Sequence, residues 1–114
     1  MNLYNKDPLP LSDFSDWESK KLYTQLMEEF ISGIIDGQKF EEKFYQIWRL
    51  NRDKEYSTEE ILKINNEKLI ESKGFSTIIS NLFTDCDVFE PDPNLREDYE
   101  MSEVELKNRV KKLY

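Results

Sequence analysis

Tyr23, Leu26, Met27, Phe30, Ile31 and Ile34 fall at positions i, i+3, i+4, i+7, i+8 and i+11. Only a helix gathers that spacing on one face; a strand would scatter it over both. Just upstream, Ser15-Asp16-Trp17-Glu18 has the form of a capping box, with Ser15 as N-cap. The spacing therefore predicts a helix from residue 16 to about 35, stopped at Asp36-Gly37, where Gly37 suits a left-handed cap. Phe40, Phe44, Ile47 and Trp48 give a second stripe over 39–52. Ser57-Thr58-Glu59-Glu60 is a second box and opens a third helix carrying Ile61, Leu62, Ile64, Leu69 and Ile70. Ser72-Lys73-Gly74 is expected to break it, so that a fourth helix runs from Phe75 to about Val88.

Pro91 and Pro93 disfavour α conformation at Glu90 and Asp92, so the chain turns extended after Phe89. Ser102-Glu103-Val104-Glu105 is a third box and starts a last helix over 103–113, with Val104, Val110 and Leu113 at helical spacing. No window alternates as a strand does. The expected fold is all-α: an antiparallel up-and-down four-helix bundle with room for one extra helix. The 114 residues form one domain, with 1–14, which contain Pro8 and Pro10, as an irregular arm and 15–114 as the bundle.

Charged residues make up 35% of the chain, yet it keeps 7 Phe, 6 Tyr and 2 Trp, which a disordered chain lacks. Histidine is absent, which removes the commonest general base and metal ligand. Its three glycines, Gly33, Gly37 and Gly74, build no phosphate loop. Cys86 is the only cysteine; flanked by Asp85 and Asp87, it is read as helix filler rather than a nucleophile. No run of about 18 apolar residues and no basic-then-apolar leader is present. These features predict a cytosolic protein that is not an enzyme and uses no cofactor or metal. Trp48 and Tyr99 are expected as core or rim aromatics.

The formal net charge is −8. Residues 85–105 hold nine acids against one base, Arg96, so this stretch alone carries −8. The remainder has 15 acids and 15 bases. A neutral body thus bears one acidic segment, which repels nucleic acid and anionic membrane and attracts a basic partner. The candidate binding residues are Asp85, Asp87, Glu90, Asp92, Asp98 and Glu100, the first four set around a proline-stiffened turn.

Charge runs are most often plain solvated surface, and Glu103 and Glu105 at a helix start are favoured by the macrodipole alone. Asp85 and Asp87 lie at a helix C-terminus, where an exposed negative charge costs roughly 0.3–1 kcal/mol, which points to a use elsewhere. A calcium loop beginning Asp85-x-Asp87 fails: its sixth position is Glu90 rather than glycine, and its last ligand would be Arg96. A glycosidase pair is disfavoured in so small a helical chain.

The run Leu82-Phe83-Thr84-Asp85-Cys86-Asp87-Val88-Phe89-Glu90-Pro91-Asp92, then Tyr99-Glu100, then Leu106 and Val110, resembles the immunity proteins of the colicin D type. That family includes immunity proteins of contact-dependent inhibition systems. Phe30-Ile31-Ser32-Gly33 through Phe40-Glu41-Glu42 is similar to it more weakly. The resemblance implies a small four-helix bundle that inhibits a tRNA-cleaving toxin by covering its basic active site with acids, in effect a tRNA mimic. It assigns that role to Asp87, Glu90 and Asp92. The implied partner is the toxin ribonuclease domain, one to one, with no direct nucleic acid, membrane or small-molecule substrate. The alternative is an acidic helical adaptor or DNA mimic that binds a basic regulatory protein.

Overall fold

A computed structural model describes residues 11–53 and 69–114, with side chains from 15 and from 71 onward. Among the described residues five helices follow one another: α1 (Leu11–Glu18), α2 (Lys20–Ile31), α3 (Gly37–Asp53), α4 (Leu69–Asp87) and α5 (Glu103–Leu113). Among the described residues there is no strand; Phe89 and Met101 form one isolated bridge. The fold is all-α, as the periodicity predicts, and packs as a helical bundle. The box at Ser57 and most of the helix expected from it fall outside the described residues.

The expected first helix is two. Ser15 is not an N-cap: it lies inside α1, buried, and the arm's residues 11–14 are helical. The break comes at Ser19, whose side chain caps nothing. Instead Ser19 Oγ donates to Asn51 Oδ1 at 2.7 Å, and Asn51 Nδ2 donates to the Tyr23 hydroxyl at 3.3 Å. Ser76 Oγ donates to Asp16 Oδ2 at 2.8 Å. These buried polar groups need partners, and joining them ties α1 and α2 to α3 and α4.

Gly33, not Gly37, ends α2. At φ 84° it takes the left-handed position. The Gly33 N–H donates to Phe30 O and the Ile34 N–H to Glu29 O, the two bonds of a Schellman cap. Asp36 then accepts from the Lys39 N–H at 2.8 Å and starts α3. Gly74 does not break the chain either; it lies within α4, where the buried Phe75, Ile79, Leu82 and Cys86 outweigh the roughly 1 kcal/mol that a helical glycine costs.

The core is aromatic. Phe30 and Phe40 stack at 4.7 Å, Tyr23 meets Phe44 at 5.5 Å, and Phe75 closes on Tyr23 at 6.1 Å. Trp48 is half-buried and packs on Phe83 at 4.6 Å. Ile34 and Val104, expected inward, are exposed; Leu106 and Val110 are the buried residues of α5.

Candidate functional site

α4 ends at Asp87 and α5 begins at Glu103, leaving a loop that carries five of the nine acids of residues 85–105. The loop is clamped at its base. The Glu90 N–H donates to Met101 O at 3.0 Å, and the Met101 N–H to Val88 O at 2.7 Å. Phe89 between them is buried, its ring against Gly37 at the start of α3. Glu103 Oε1 accepts from the Gly37 N–H at 2.6 Å and joins α5 to the same point. The third capping box is present as the sequence predicts: Ser102 accepts from the Glu105 N–H, and the Glu105 carboxylate from the Ser102 N–H. Those bonds hold the Glu105 carboxyl below its usual range.

Within the clamp the chain is tied turn by turn. Asp92 Oδ1 accepts from the Asn94 N–H at 2.9 Å, and Glu90 Oε2 from the Asp92 N–H at 3.2 Å. Glu100 Oε1 accepts from the Glu97 N–H at 2.8 Å. Arg96, the loop's one base, donates through Nε to Glu90 O and through Nη2 to Pro91 O. Its guanidinium holds backbone rather than closing on a carboxylate. The acids therefore stand on a fixed frame, with their charges turned to solvent: Asp87, Asp92 and Asp98 are exposed, and Glu90 and Glu100 half-buried.

Asp85 is different. It is buried, and Arg109 of α5 grips it with two donors, Nη2 to Oδ1 at 3.2 Å and Nε to Oδ2 at 3.3 Å. The unfavourable charge at the end of α4 is compensated inside the bundle, and its use is to hold α5 in place. Of the six candidate acids Asp85 alone is buried.

Nothing in the sequence singles out Glu41. It is half-buried on α3, and its carboxyl is raised above the ordinary value, first by burial, then by the charges of Glu90, Asp87 and Glu42. α3 thus adds an acid to the loop's field. The neighbouring Tyr45 hydroxyl is pushed up to about 12 by burial and by Cys86, Glu41 and Asp87. The Cys86 thiol, buried beneath, is raised by burial first and then by Glu41 and Asp85. It is no nucleophile at neutral pH. Charge arithmetic hid Glu41 because it lies in the balanced part of the chain; only the packing of α3 against α4 shows it.

Among the described residues no three acidic or cysteine side chains converge to hold a metal ion. No helix there is long and apolar enough to cross a membrane. Tyr99, expected in the core or at its rim, is instead exposed, two residues before Met101 of the clamp.

A family model described as bacterial self-protective colicin-like immunity matches residues 19–114, a span that contains the whole clamp, the loop and Glu41. Set against the curated proteins and the solved structures, the chain gives no match.

Proposed function

Because this chain belongs to the colicin-like immunity family and so is a bacterial toxin immunity protein that binds a cognate toxin, we propose that its partner is a tRNA-cleaving ribonuclease domain of the colicin D or contact-dependent inhibition kind. The chain acts as a one-to-one inhibitor, not a catalyst, and works in the cytoplasm, where the substrate of such a toxin lies. Asp87, Glu90, Asp92, Asp98 and Glu100, joined by Glu41, cover the basic cleft where the toxin binds RNA phosphates.

The observation that carries the reading is a clamped acidic loop whose one base is turned onto its own backbone. A ribonuclease must bind a polyanion, so its active site is basic. Carboxylates held on a rigid frame can occupy phosphate positions without a large ordering cost. An uncompensated acidic face also steers a basic partner, raising association rates by roughly 10- to 1,000-fold at low salt. Asp85, already paired with Arg109, stays out of the interface and supports it from behind.

The test is co-expression. Cells producing the toxin domain encoded beside this chain's gene should survive when the chain is supplied, and their tRNA should stay intact. Survival with intact tRNA supports the reading. Protection against a toxin that leaves tRNA untouched would overturn the ribonuclease assignment.

A further inference from the structure

Leu95, Tyr99 and Val104 are three of the seven large apolar side chains exposed among the described residues, and all lie in or beside the acidic loop. Single exposed apolar residues are ordinary, so exposure alone carries little. Tyr99 is exceptional in another way. It is 74% exposed, and its ring and hydroxyl make no hydrogen bond or ring contact among the described residues. Its turn is nevertheless fixed: the Glu97 N–H donates to Glu100 Oε1, and the Glu100 N–H to Glu97 O at 3.0 Å. Below that turn lies the clamp at Glu90 and Met101. An aromatic ring is thus held out to water on an ordered backbone, with a carboxylate on each side, Asp98 and Glu100.

We infer that Tyr99 stands in for a nucleobase, as the acids beside it stand in for phosphates. This rests on the ribonuclease reading above. Single-stranded RNA offers a protein charged phosphates alternating with planar bases. Proteins take the bases by stacking them on aromatic rings or on guanidinium planes. Such a plane accepts a phenol ring face as it accepts a base, and arginine adds a cation–π attraction. The segment Asp98-Tyr99-Glu100 repeats the anion–plane–anion order of the substrate. The ring also has only two torsions to fix on binding, so the ordering cost is small.

The test uses the purified toxin domain encoded by the neighbouring gene, with affinity and rates measured for the full-length chain. Stacking of a base on an aromatic ring contributes roughly 1–3 kcal/mol by alanine substitution, a factor of about 5 to 150 in affinity. Tyr99→Ala is therefore expected to weaken binding by that factor, mostly through faster dissociation, at low and high salt alike. Tyr99→Phe keeps the plane and should stay within about twofold. Tyr99→Leu keeps apolar area but loses the plane, and should weaken binding about as much as alanine does. Thermal midpoints should move little, because the ring is largely exposed and makes no hydrogen bond or ring contact among the described residues. If wild type binds and Tyr99→Leu binds equally well, the ring is at most an apolar anchor and the inference fails. If Tyr99→Ala binds as wild type does, it fails outright. Should wild type itself not bind, the ribonuclease reading falls, a different result from either of these.

Discussion

Replacing Asp85 with asparagine separates the acid that builds the scaffold from the acids proposed to face the partner. The carboxylate is 3% exposed as a residue and takes two charge-assisted bonds from Arg109, at 3.2 and 3.3 Å. Asparagine keeps the shape and one acceptor but loses the charge. Breaking a fully buried pair costs about 3–5 kcal/mol. Arg109 is 52% exposed at its side chain and rehydrates when released, so the cost falls toward that of one hydrogen bond to a charged group, about 2 kcal/mol. At this chain length 1 kcal/mol moves the midpoint by about 4 °C, so Asp85→Asn should melt about 8 °C lower. The assay is a thermal scan by circular dichroism, with toxin-binding kinetics measured well below the melt. The association rate should match wild type, because the lost charge faced Arg109 and not the toxin. An Asp85→Asn variant that melts normally and binds poorly would refute this division of labour.

The two buried-side and open-side glycines should respond oppositely to alanine. At Gly37 an added Cβ lies 2.7 Å from Phe89 Cζ and 2.9 Å from Glu103 Oε1, so Gly37→Ala should cost about 1–3 kcal/mol in a denaturant melt. At Gly74 nothing lies within 4 Å, and Gly74→Ala should stabilise by about 0.5–1 kcal/mol. Glu41 has a raised carboxyl, so the native state holds its proton more tightly than the unfolded chain does. Its charge therefore lowers stability as pH rises from the unfolded value through the folded one, and the deficit persists at neutral pH. Glu41→Gln should raise the midpoint at pH 7 while weakening toxin binding; a calorimetric scan and a binding titration check both signs. Trp48→Ala should destabilise by about 2–3 kcal/mol through its lost contact with Phe83 and leave the association rate unchanged in stopped-flow mixing.

The helical class and the loop were legible because they rest on local rules. The capping box at Ser102 and the two prolines at 91 and 93 fix their boundaries within a few residues of chain. The stripe from Tyr23 to Phe30 marks true core for the same reason. What failed was decided by packing at a distance. Ser15 resembles an N-cap, yet it is drawn inside α1, and Ser19 is claimed by Asn51, 32 residues away. Gly33 and Gly37 are equally good stop signals in sequence; the Schellman bonds form at the first. Asp85 falls among the candidate binding acids in sequence because its partner, Arg109, lies 24 residues on and only the fold brings the two together. Glu41 joins the site only because α3 packs against α4.

The central claim is that the clamped acids occupy the phosphate positions of a ribonuclease. Titrating tRNA cleavage by the purified toxin domain with this chain tests it most directly, using wild type and the Asp87→Asn/Glu90→Gln/Asp92→Asn variant. All three changes keep side-chain shape on exposed or half-buried positions, so the bundle should remain folded. Wild type should abolish cleavage at one equivalent, with association that slows steeply as salt is added. The triple variant should leave cleavage running at the same ratio, and its residual association should depend on salt less steeply than that of wild type. A folded triple variant that still stops cleavage at one equivalent, with the salt dependence of wild type, would contradict the account.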